Sequence, residues 1–117
     1  MAQFALLLNH APGRYDGLTE DDYMGIIRDY VAWVEEAAAK GIYVGGHKLT
    51  AEPGRVINRT DAGVEVHDSP FTEVAEILGG LMIIEAENYD AAVDAVRDHP
   101  HFVHNTSLEI REIDGDA

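Results

Sequence analysis

Two residue groups in this chain have the types and spacing for acid–base chemistry. His47 directly follows Gly45-Gly46, and Asp68 and Glu73 flank Pro70-Phe71. A carboxylate beside an imidazole orients the ring and favours its charged form. That raises the imidazole pKa and suits it to act as a general base. Adjacent glycines leave room for a ligand to approach the backbone. On this reading His47 is the base, Asp68 its partner and Phe71 a wall of the pocket, with Glu73 a further ligand contact. The plainer reading treats Gly45-Gly46 as a bulge that curves a sheet and His47 as a surface polar residue. Asp68 can likewise accept backbone N–H bonds in an Asx turn, with Pro70 fixing the chain direction and Phe71 filling apolar space.

A second group is His99, His101 and His104, in the run His-Pro-His-Phe-Val-His. Three imidazoles raise the question of a metal. Spacing is their only support, and the expectation here is no metal. His99 would instead hydrogen-bond the last carbonyls of a helix, and His101 and His104 would be loop residues. His10 and Arg14 share a loop near the N-terminus, where Arg14 could clamp a ligand carboxylate. Tyr30 and Trp33 read as packing residues of a helix. Glu109 and Arg111 read as an ion pair on the last strand. The chain has no phosphate-binding loop, dinucleotide fingerprint or Gly-x-Ser-x-Gly elbow, so no cofactor is expected.

The composition narrows the classes. With 117 residues the chain is one domain, spanning 1–117. It carries 22 acidic and 8 basic residues, a net charge of −14. That charge repels nucleic acid and anionic lipid, so neither is expected as a partner. There are no cysteines, hence no disulfide or thiol nucleophile. The apolar start lacks a basic flank and a cleavage site, and no run approaches a membrane span. Together these features fit a cytoplasmic location.

The elements that must position these residues follow from periodicity. Gln3 to Leu8 is a continuous apolar run, as in a buried strand. Asn9 to Gly17 is a loop. Thr19 caps a helix of about five turns, on which Tyr23, Ile26, Ile27, Tyr30, Val31, Val34, Ala37 and Ala38 recur at helical spacing up to Gly41. Ile42 to Leu49 is a strand. Arg55 to Thr60 and Val64 to His67 form a hairpin about Asp61-Ala62-Gly63. Pro70 to Ile77 is a short helical turn and Leu78 to Ala86 an apolar strand. Asn88 or Asp90 caps a second helix that Pro100 ends, and Thr106 to Ile113 is an alternating strand. With the hairpin set aside as an insertion, the order is ferredoxin-like βαββαβ, in the α+β class. Two helices then cover one sheet face. The other face is apolar, and a second subunit packing sheet on sheet would cover it.

Five stretches resemble the YCII-related, or DGPF-domain, proteins. They are Gly45-Gly46, Asp68-Ser69-Pro70-Phe71 with Glu73 and Glu76, Leu78-Gly79-Gly80, His99-Pro100 and Glu109-Ile110-Arg111. Ser69 stands where the family motif has Gly. The resemblance covers nearly the whole chain and implies a dimeric α+β barrel. Some relatives act on chlorinated or hydroxylated aromatic rings through a His–Asp pair, with the His near the start of the first long helix. Thr19-Glu20-Asp21-Asp22-Tyr23 holds no His there, so that pair does not carry over. Two readings result. One is a cofactor-independent enzyme doing acid–base chemistry on a small ring or carbonyl compound. The other is a non-catalytic homodimeric module that binds a ligand or regulates.

Overall fold

The computed structural model describes residues 1–52, 54–68 and 76–115. Its elements run β1 (Ala2–His10), α1 (Glu20–Ala39), β2 (Tyr43–Lys48), β3 (Arg55–Thr60), β4 (Gly63–Asp68), β5 (Ile77–Ala86), α2 (Tyr89–Ala95), α3 (His101–His104) and β6 (Glu109–Glu112). The main sheet has the order β2-β5-β1-β6, antiparallel throughout. With β3 and β4 set apart as their own two-stranded sheet, this is the ferredoxin-like arrangement expected from the element order. The expected turn over Pro70 to Ile77 lies mostly outside the described residues, and Ile77 opens β5.

Local chemistry explains the boundaries. The Thr19 hydroxyl accepts from the Asp22 backbone N–H at 3.1 Å and starts α1. Glu20, Asp21 and Asp22 then set negative charge at the positive end of the helix. Gly41 ends it with φ of 76°, a conformation that glycine adopts without a Cβ clash. Asn88 caps α2 by accepting from Ala91 N–H at 2.9 Å. The four residues of α3 were expected as loop.

Strand register divides the sheet into two faces. Phe4, Leu6 and Leu8 pair with Ile84, Met82 and Gly80, and all are buried. Trp33 and Ala37 of α1 and Ala92 of α2 share their core, along with Val96 just beyond α2. The opposite face carries Ala5 with Ile83 and Leu7 with Leu81. These aliphatic side chains are half-buried, with no helix over them among the described residues.

The two central strands are not in a single register. Leu8 pairs with Gly80 but Asn9 pairs with Leu78, so Gly79 has no opposite number. This bulge reverses the alternation of β5, because one extra residue flips every side chain beyond it. Leu78 therefore goes to the open face, 40% exposed, where an unbroken strand would turn it towards the helices.

Candidate functional site

The bulge shapes one end of the sheet. An added Cβ on Gly79 would stand 2.6 Å from His10 Cδ2 and 3.1 Å from its Nε2. The missing side chain is thus the seat of the His10 ring. Tyr15 packs edge-on against that ring, centroids 5.1 Å apart. His10 Nδ1 donates to the Ala11 carbonyl at 2.9 Å, since a carbonyl can only accept. That assigns the proton to Nδ1 and leaves the Nε2 lone pair as a base. Replacing Gly79 with Ala is expected to unseat the ring. Histidine Cε1–H resonances followed by NMR would show it as a changed His10 environment, and an unchanged His10 signal would refute the seat.

His10 lines an open cleft of about 570 Å³, together with Asn9, Arg14, Glu76, His104, Asn105 and Thr106. Residues 9–14 come from the end of β1 and its loop, Glu76 from just before β5, and the rest from α3 and its exit. Arg14 is held in place. Its Nε donates to the His104 carbonyl at 2.7 Å, and its guanidinium lies over Tyr15 at 5.2 Å. Among the described residues no carboxylate forms an ion pair with it. In a chain of net charge −14 that leaves a cation lining the cleft with N–H donors beyond the one bonded to His104.

Behind the cleft lies a histidine and tyrosine network. His101 Nε2 donates to the Asn9 carbonyl at 2.7 Å, so its Nδ1 is the acceptor. Tyr30 on α1 donates its hydroxyl to that Nδ1 at 2.7 Å. The His101 backbone N–H in turn donates to His99 Nδ1 at 3.0 Å. His99 Nε2–H is then left facing Met82 Sδ at 3.5 Å. Trp33 covers His99 with ring centroids 4.4 Å apart, and its indole N–H reaches Asp98 at 3.3 Å. His104 Nε2 contacts Asp29 at 2.8 Å while its ring stacks on Tyr30.

Burial sets the charge state of this network. It pushes the His99 imidazole down from 6.5 to about 4, with the neighbouring His101 adding to the effect. Burial also lowers His101, although its bond to the Asn9 carbonyl opposes the shift. Tyr30 is pushed up, again chiefly by burial. Two neutral imidazoles and a neutral phenol thus form a fixed, uncharged back wall. Among the described residues no cluster of His, Asp and Glu has metal-binding geometry. His99 and His101 already spend both ring nitrogens on protein partners, and His104 spends its Nε2 on Asp29.

The expected site residues fall in different places. Arg14 is in the cleft. His47 pairs with Leu81 on β2 and so lies on the open sheet face, exposed. Its neighbour Lys48 falls on the helix side, with its ammonium 5.4 Å from the Tyr23 ring. Asp68 ends β4, where its carboxylate meets Arg55 at 3.3 Å. No hydrogen bond or ion pair among the described residues joins His47 to Asp68. Phe71 and Glu73 lie outside the described residues. Gly46 has a reason of its own, because an added Cβ would meet the Tyr43 hydroxyl at 2.7 Å and the Leu81 carbonyl at 2.8 Å.

Sequence reasoning passed over His10 as a base and took His101 for a loop residue. The signal for His10 was Gly79, since a glycine inside a strand marks a close approach. His101 carries no comparable signal, because its partners Tyr30 and Asn9 are far away along the chain.

A comparison with curated proteins finds no match. The profile of the YCII-related domain matches residues 2–114, which takes in every element of the fold and both sides of the cleft, and the chain belongs to that family.

Proposed function

We propose that the chain binds a small organic anion in the His10–Arg14 cleft and moves a proton on it without a cofactor. Arg14 carries the reading: an anchored cation without a carboxylate partner among the described residues, beside an imidazole whose Nε2 is free to accept. Arg14 would hold a carboxylate or enolate oxygen, and His10 would take a proton from an adjacent carbon or hydroxyl. The protonated His10 would then return it to a neighbouring atom of the ligand. The compound would be a small ring or carbonyl acid.

The test is a thermal-shift screen with small carboxylic acids, phenols and lactones, since a ligand that binds the native state raises the melting temperature. Losing a charged hydrogen bond costs about 1.5–3 kcal/mol, so Arg14→Gln should weaken binding roughly ten- to a hundredfold. His10→Asn should keep most of the binding but lose about 10²–10⁴-fold in turnover. Stabilisation without turnover in the native chain would favour the non-catalytic ligand-binding module. Binding that ignores Arg14 would remove the cleft from consideration.

A second site reading rests on His47. The open face, with its aliphatic pairs Ala5–Ile83 and Leu7–Leu81, favours a homodimer packed sheet on sheet. A cavity enclosed there would present His47 beside Gly45. Ligand binding that is lost in His47→Ala and kept in Arg14→Gln would support that site over the cleft.

A further inference from the structure

The β3–β4 hairpin is amphipathic and forms a two-stranded sheet of its own. Its register puts Arg55, Ile57 and Arg59 on one face with Asp68, Val66 and Val64 opposite them. Val56, Asn58, Glu65 and His67 occupy the other face. Ile57, Val64 and Val66 are 65%, 68% and 59% exposed. A two-stranded hairpin is marginal in water on its own. Strands that alternate apolar and polar residues in this way ordinarily have a cover on the apolar side.

The shape of the chain points to what that cover is. Its radius of gyration is 16.3 Å and its extents are 50 × 43 × 19 Å. A compact chain of this length would have a radius near ~13 Å. Among the described residues, one chain thus leaves two apolar surfaces uncovered, the hairpin face and the open face of the main sheet. The hairpin is short enough to lie within the sheet face, because six-residue strands span about 20 Å and the central strands about 30 Å. Their charges also suit each other. Arg59 borders the hairpin's apolar stripe, while Glu109 pairs with Leu7 and Glu85 with Gln3 on the open face, alongside Arg111.

We infer that the apolar face of the hairpin seats on the open sheet face of a second copy of this chain, each copy covering the other. This rests on the homodimer proposed above but gives it a different contact, with the partner's hairpin in place of the partner's main sheet over the open face. The symmetry is closed, because an arm that covers a partner's sheet receives the partner's arm in return.

The chain has no cysteine, so engineered thiols report contact directly. Chains carrying Val66→Cys are mixed with chains carrying Leu81→Cys under mild oxidation. A mixed disulfide dimer is the expected product, in clear excess over either self-linked species. In parallel, light scattering is expected to give twice 12.8 kDa for the native chain and one chain mass for Ile57→Asp/Val66→Asp, with an unchanged circular dichroism spectrum. A native dimer without mixed disulfide, or with Val66 linked mainly to Val66, overturns the hairpin seat and leaves the dimer standing. A native chain that stays monomeric at micromolar concentration overturns both. If the double variant fails to fold, the disulfide result decides alone.

Discussion

Lowering the pH from 7 to 5 is expected to destabilise the folded chain by about 2 kcal/mol, rising to about 3 kcal/mol near pH 4. The cause is His99, 1% exposed and held down at about 4. In the unfolded chain the same imidazole takes a proton at 6.5. Between those two values the unfolded state binds more protons than the folded one. Stability is therefore fully present above pH 6.5 and is lost as the pH falls through the folded value. His101, shifted in the same direction, adds to the loss. The carboxylates work the other way, because neutralising some of the 22 acidic residues relieves self-repulsion. The same carboxylates are present in a His99 variant, so the difference between it and the native chain isolates the imidazole. Urea midpoints from pH 7 to pH 5 would measure the effect. A His99→Gln variant should show a flatter profile, since its amide carries no titrating proton. Equal midpoints at pH 7 and pH 5 in the native chain would refute the assignment.

Trp33→Ala is expected to cost about 3–5 kcal/mol, the usual range for removing a large buried aromatic ring. Trp33 is 6% exposed and covers His99 from the side of α1. Its loss opens a cavity between helix and sheet and removes the wall that keeps His99 dry. A domain of this kind has only about 5–15 kcal/mol in total, so the variant should be near the edge of folding at physiological temperature. Far-UV circular dichroism in urea is the measurement, because Trp33 is the sole tryptophan and fluorescence would vanish with it. Trp33→Phe should restore more than half of the loss. A Trp33→Ala variant within 1 kcal/mol of the native chain would mean that α1 is not fixed through this ring.

The sheet and helices were legible because each follows from local pattern. The apolar spacing from Tyr23 to Ala38, bounded by Thr19 and Gly41, specifies α1 almost to the residue. The run Leu78 to Ala86 and the clean hairpin turn at Asp61-Ala62 read equally directly. The family was legible from the succession of short motifs. The cleft was not, because it joins residues 9–14 to Glu76 and to residues 103–106, and no periodicity links those stretches. Arg14 was noticed for its charge, but its anchorage on the His104 carbonyl is a tertiary fact. His47 drew notice because it follows two glycines. The sheet alternation that turns it away from α1 could be settled only once the β2–β5 register was known. Burial of His99 and His101 was hidden for a related reason: histidine is found both inside and outside proteins, and only its surroundings decide.

The unpaired Gly79 has one more consequence. It acts as a phase shifter along β5, so that a single strand keeps two rhythms. From Gly80 onward even-numbered residues face the core, and before it they do not. Deleting this one residue would let the strand run in step from end to end. Leu78 would stay opposite Asn9 on the open face and the core from Gly80 to Ala86 would be untouched, but the residue over which the His10 ring sits would be gone. The His10 end of the cleft is thus set by one residue outside the core register, and its geometry and the stability of the domain are to that extent separately adjustable.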